Sequence, residues 1–160
     1  MTPFLFHRLS TALAGTPDVL EGLLGNLSSS DPRWDFSPDP ERFTLREIVA
    51  HLADFEPVWL DRFTRTRETN RSEFVRLDPD KLALDNDYAH SDPLQKLAKF
   101  RAGRKVIMDL LASFSDADWQ KECVLPVGVW TLEFQAAYLS IHDGYHTGQA
   151  AQWLALAHRL

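Results

Sequence analysis

Four long stretches of this chain each combine a helix start signal with apolar residues at helical spacing, and no stretch alternates apolar and polar residues convincingly enough for a strand. The first runs from about Pro3 to Leu27. Pro17 lies inside it, and because proline lacks a backbone N–H, Gly15-Thr16-Pro17 predicts a kink or a restart there. Ser28 to Arg42 is rich in Ser, Pro and Asp and reads as a loop. The second stretch opens on Thr44-Leu45-Arg46-Glu47, a capping box in which hydroxyl and carboxylate satisfy orphan backbone donors, and continues to about Arg67. Pro57 should bend it on the turn after His51. Asn70 to His90 is polar and irregular. Ser91 then caps a third helix, with Pro93 in its first turn, that reaches about Phe114. After a connector containing Asp116, Trp119, Pro126 and Gly128, Thr131 caps a fourth that runs nearly to the end. The economical architecture is an all-α four-helix bundle, one domain over residues 1–160.

The composition supports a real core, with 44% hydrophobic residues including ten Phe and five Trp. A formal net charge of -6 speaks against nucleic acid as a partner, since phosphate neutralisation needs a surplus of Lys and Arg. No apolar run is long enough to span a bilayer, so no membrane role is expected. The opening MTPFLFHRLSTALAG has no basic stretch ahead of its apolar residues, and a cytoplasmic protein is expected. Cys123 is the one cysteine; it can form neither an internal disulfide nor a cysteine zinc cluster, and a buried or half-buried place in the connector suits it.

Histidines carry the chemical signal. On the fourth helix, Gln135, Tyr138, Leu139, Tyr145, His146, Gln149, Trp153 and Leu156 fall within about 60° of His142, which defines the face expected to look inward. His142 and His146 are four apart, one turn above the other, so both rings can reach one ion; two hydrogen-bonded or half-exposed side chains are the alternative at this spacing. On the second helix His51 stands at the edge of an apolar stripe of Ile48, Leu52, Phe55 and Trp59, beside Glu47, Asp54, Val58 and Arg62. Three imidazoles scattered through a small core would be costly unless something collected them, and a metal ion does that. His7, His90 and His158 lack such a setting and read as surface residues.

The stretches FTLREIVAHLADFEPVWLDRF, FRAGRKVIMDLLASF, DADW and GVWTLEFQAAYLSIHDGYHTGQAAQW resemble the DinB (damage-inducible, YfiT-like) family, in order and at fitting distances from about Thr44 onward. AHLAD and HDGYHTGQ are the most specific elements. The resemblance implies a four-helix bundle in which one histidine of the second helix and an HxxxH pair of the fourth hold a divalent metal. Here those are His51, His142 and His146.

Three imidazoles leave at least one position open for water or substrate. They suit zinc or nickel, with iron, copper or manganese as further candidates. Characterised relatives implied by the resemblance transfer a low-molecular-weight thiol such as bacillithiol or mycothiol. On that expectation Tyr138, Tyr145 and Trp153 shape the cavity, and Asp54 or Gln149 orients water, substrate or the His51 ring. Asp143 points about 100° away from His142 and reads as a salt-bridge or capping partner of another helix. Arg101, Arg104 and Lys105 form a basic patch on the third helix that is either solvated or, through Arg104, recognises a substrate carboxylate. Metal-assisted hydrolysis of a small molecule and a stress-response metal-binding role without turnover are the alternatives. On the far side of the fourth helix, Ser140, Gly144, Gly148, Ala151 and Ala155 form a stripe of small residues. It suits either tight packing in the bundle or a homodimer interface of the kind the family offers.

Overall fold

The computed structural model describes residues 1–158, and its elements start where local chemistry favours them. Helix α1 covers Pro3–Leu24 and runs unbroken through Pro17, so the expected restart does not occur. Helix α2 (Leu45–Glu68) begins at the capping box: Glu47 donates its N–H to the Thr44 hydroxyl at 3.3 Å, and the Glu47 carboxylate accepts from the Thr44 N–H at 2.8 Å. It continues through Pro57. The segment expected to be irregular contains a short helix α3 (Pro79–Asp85), capped by Asp78, and a 3-10 turn at Tyr88–His90 that buries Tyr88. Helix α4 (Pro93–Ala112) is capped by Asp92 rather than Ser91, because the Asp92 carboxylate reaches the Leu94 and Gln95 N–H groups at 2.9 and 3.1 Å. Ser91 instead turns its hydroxyl back to the Tyr88 carbonyl. A single turn, α5 (Asp116–Trp119), precedes the long α6 (Leu132–Ala157), which Thr131 caps.

The sequence held no strand signal, yet a small sheet closes one end of the bundle. Strand β2 (Glu122–Leu125) pairs antiparallel with β3 (Gly128–Thr131), and β1 (Ser72–Glu73) adds to β2 in parallel. Each strand is four residues or fewer, too short to show a period. Gly128 takes φ +136 after the tight turn, a conformation that side chains disfavour. Cys123 is buried on β2 with its thiol pKa raised by burial, an inert packing residue.

Helices α1, α2, α4 and α6 pack around two apolar clusters. One gathers Leu20, Leu24, Trp34, Ile48, Leu52, Phe100 and Trp153; the other gathers Leu13, Trp59, Phe63, Ile107, Leu111 and Leu139. Arg104, 1% exposed, lies among the four helices. From α4 its guanidinium donates to Glu56 of α2 at 2.6 and 3.2 Å, to Asp143 of α6, and to the Leu13 carbonyl of α1 at 3.0 Å. The Leu13 carbonyl is free because Pro17, four residues on, has no N–H to offer it. Thr16 donates its hydroxyl to Asp143 at 3.2 Å. Gly103 lets α4 approach here, since a Cβ at that position would stand 2.7 Å from the Glu56 Cβ.

The expectation that Arg104 recognises substrate is therefore corrected. Its five donors are committed to the interior, and stripping a charge out of such a buried cluster typically costs about 3–5 kcal/mol by leaving its partners uncompensated. No basic patch forms around it either. Arg101 pairs with Asp18 and Glu21, and Lys105 with Asp109. Asp143 is the salt-bridge partner of another helix that its angular position suggested.

Candidate metal centre

Helix α2 brings His51, and α6 brings His142 and His146, to one point beside the seam between the two helices. One ring nitrogen from each lies within 4.8 Å of the others. His51 Nε2 and His142 Nε2 are 3.0 Å apart, and two nitrogens bound about 2.0–2.1 Å from one tetrahedral centre would stand about 3.3 Å apart. His51 is 3% and His146 8% exposed, while His142 is half-buried. Burial first, and then the neighbouring imidazoles, push the His51 pKa down to about 2. Burial and His142 push His146 down to about 4, with Gln149 pulling the other way. Both rings are neutral at neutral pH, the form that offers a lone pair to a metal.

The surroundings fit a cation. Gln149 Oε1 lies 3.1 Å from His146 Nδ1 and fixes that nitrogen as the donor, which leaves Nε2 as the free lone pair. The Asp143 carboxylate stands 3.9 Å from His142 Nδ1, near enough to favour a positive site but too far for a hydrogen bond. Burial works against ionisation of Asp143, yet His142 and Arg104 together hold its carboxyl below the usual range. Burial pushes Glu56 up to about 7 against the pull of Arg104. The Nδ1 atoms of His51 and His142 are buried without a partner among the described residues.

The triad forms part of the floor of an open cavity of about 770 Å³. Aromatic rings wall it: Phe55 lies 4.3 Å from the His51 ring, Trp59 6.4 Å from His142, and Tyr145 4.9 Å from His146. Tyr138 lies against Trp59 and Trp130 and joins the wall, so both tyrosines stand where cavity-shaping residues are expected. Trp153 does not line the cavity. It is buried in the core, with its indole N–H bonded to the Phe43 carbonyl at 2.9 Å. Asp54 is likewise unavailable, because Lys96 and Lys99 of α4 hold its carboxylate at 2.9 and 2.7 Å. His7, His90 and His158 are exposed.

Phe55 and Trp59 read from the sequence as part of an apolar stripe, and nothing in the sequence sets Trp130, Arg42 or Arg76 apart. A signal existed for the α2 residues, since Phe55, Trp59 and Arg62 follow His51 at four, eight and eleven positions along one helix face. No local pattern announces Trp130 or Arg76, which reach the cavity from the sheet and the segment before α3.

Fold and site together define a four-helix-bundle protein with a three-histidine centre suited to a divalent metal. The chain belongs to the DinB superfamily, whose family model matches residues 12–150. Among solved structures it is similar to YfiT from Bacillus subtilis, with a TM-score of 0.88 and 19% identity, covering 96% of this chain and 87% of that one. That protein is described as "a probable metal-dependent hydrolase with an unusual four-helix bundle topology". The likeness establishes the bundle topology of the present chain. No curated protein sequence matches it. Among the described residues no helix is long and apolar enough to cross a membrane.

The depressed histidines predict a pH signature for the metal-free protein. The unfolded chain takes up protons near pH 6.5 and the folded chain does not, so stability is full above that value and falls as pH drops toward 4. His51 and His146 together should remove about 4 kcal/mol by about pH 5. Urea unfolding across this range should show a shallower pH slope for His146→Gln than for the parent. Equal slopes would show that His146 is not held neutral by the fold.

Proposed function

We propose that this protein is a metal-dependent enzyme that transfers a low-molecular-weight thiol to a small electrophile, with His51, His142 and His146 as the metal ligands. The observation that carries this reading is the convergence of three imidazoles, two of them held neutral by burial, in the floor of an open cavity of the size small-molecule sites occupy. Three histidines suit zinc or nickel best, with iron or manganese next. A divalent cation held there lowers the pKa of a thiol or water that reaches its open side.

The choice of nucleophile follows from the proton acceptors at hand. Asp143, beside the triad, is committed to Arg104 and Thr16, and Asp54 to two lysines. The acids among the described lining residues, Glu41 and Asp80, are both exposed. A thiol, with its ordinary pKa near 8.5, needs far less help to lose its proton than water does. The walls of Phe55, Trp59 and Tyr138 give an apolar electrophile a surface to lie on, so both reactants are held together. Hydrolysis of a small ester or amide is the second reading, favoured by the description of YfiT.

Zinc- or nickel-loaded protein should accelerate conjugation of monochlorobimane to at least one of bacillithiol, mycothiol, glutathione and cysteine, and His51→Ala should return the rate to background. Silence with all four thiols alongside metal-dependent cleavage of nitrophenyl esters would replace the transferase reading with the hydrolase.

A homodimer through the small-residue face of α6 is part of the same proposal. A Cβ added at Gly144 or Gly148 meets nothing within 4 Å, so packing inside the chain gives no reason for either glycine. Each costs a helix about 1 kcal/mol relative to alanine. Exposed Ile141 and Tyr145 flank the stripe. Sedimentation should show a dimer that Gly148→Leu converts to monomer; a dimer intact in that variant would remove the stripe from the interface.

A further inference from the structure

The pairing of basic residues over the molecule is uneven in one place. Every described lysine lies within ion-pair distance of a carboxylate. So do seven of the eleven described arginines, namely Arg33, Arg46, Arg65, Arg67, Arg71, Arg101 and Arg104. Of the four without such a partner, Arg8 lies over the Phe4 ring, and Arg42, Arg62 and Arg76 all line the cavity above the histidines. In a chain of net charge -6 with 23 acidic residues, three arginines that line one cavity with no carboxylate partner among the described residues call for a partner from outside.

Arg62 is the most telling of the three. It is half-buried, makes no hydrogen bond among the described residues, and its sequence neighbour Asp61 pairs with Arg65 instead. Its guanidinium carbon stacks 5.1 Å over Trp59, whose ring is 6.4 Å from His142, so the charge stands one indole away from the triad. On the other flank Arg42 is exposed; it lies over Trp153 at 5.0 Å and Tyr145 at 5.9 Å and donates to the Tyr145 hydroxyl, with the Tyr145 ring 4.9 Å from His146. The lining acids Glu41 and Asp80 form no ion pair with any of the three. A half-buried guanidinium stacked on an indole, with no protein acceptor for its five donors among the described residues, presents a fork that matches an oxyanion.

We propose that the substrate of this cavity is a small anionic molecule whose carboxylate or phosphate is gripped by Arg62, with Arg42 and Arg76 adding to the field, while its reactive end reaches the histidine triad across Trp59. The inference rests on the reading of the triad as a metal centre, and it holds for thiol transfer and hydrolysis alike. It also assigns Arg62, in place of the interior Arg104, as the residue that recognises a charged substrate.

The test uses zinc-loaded protein, with zinc uptake measured first and separately. Linear hydroxamates carrying at the far end a carboxylate, a phosphonate or a neutral primary amide are then titrated, following binding by calorimetry and by the fluorescence of the cavity tryptophans. The better of the two charged probes should bind at least about tenfold more tightly than the amide, the discrimination expected when a hydrogen-bonded charge is lost. Whichever charged probe wins identifies a carboxylate-bearing or phosphate-bearing substrate. Arg62→Gln should bring the ratio close to unity at unchanged zinc stoichiometry, Arg62→Lys should keep part of it, and Arg8→Gln, with the same loss of net charge, should keep all of it. Arg76→Gln, exposed and no threat to folding, should lower the ratio less. Equal affinity for all three probes, or a preference that survives both Arg62→Gln and Arg76→Gln, overturns the anion site and leaves the metal centre standing. Failure to take up zinc overturns the metal centre and this inference with it.

Discussion

One guanidinium holds the four long helices in register. Arg104 of α4 meets Glu56 of α2, Asp143 of α6 and the Leu13 carbonyl of α1, and Thr16 of α1 closes the ring onto Asp143. Two carboxylates share one cation, so burial can push Glu56 toward protonation while Asp143 stays ionised. Such clusters add little net stability compared with apolar packing, but they tolerate only one arrangement of the groups involved. That restriction matters because Asp143 follows His142 directly. Fixing the Asp143 carboxylate fixes the rotation of α6, and with it the direction in which His142 and His146 face His51.

The division of labour between the two sides of α6 follows. The side carrying Asp143 is anchored in the interior by charge and hydrogen bonds, and the side carrying Tyr138, His142 and Tyr145 opens onto the cavity. Polar groups that look chemically useful in isolation, Arg104, Asp143 and Asp54, are spent on structure. What remains free to act on a small molecule is a triad of imidazoles, a set of aromatic walls and the arginines that line the same cavity.

The sequence made legible whatever is local. The capping box at Thr44, the cap at Thr131, the four long helices and the i,i+4 pair His142 and His146 depend on residues a turn apart, and each was readable before any contact was known. The place of His51 followed from its position at the border of an apolar stripe and from the family motif. Features set by distant partners were not legible. Pro17 announced a break, but the carbonyl it frees is taken by Arg104 ninety-one residues away in sequence, and the helix continues. Trp153 shares the angular face of the histidines but lies deeper, against Phe43, because a helix face specifies direction and not depth. The strands at Glu122–Leu125 and Gly128–Thr131 hold through mutual pairing rather than through any pattern of their own.

The proposed metal centre, three imidazoles from two helices around one ion with a position left open, is decided by X-ray absorption at the zinc edge of zinc-loaded protein. Three imidazole ligands should give a shell of about four nitrogen or oxygen neighbours at about 2.0–2.1 Å, with the multiple scattering of three rings, and that signal should vanish together with the zinc in the double variant His142→Ala/His146→Ala. A sulfur shell at about 2.3 Å in protein free of added thiol, a shell of oxygens without imidazole scattering, or a spectrum unchanged in the double variant would rule out the three-histidine centre.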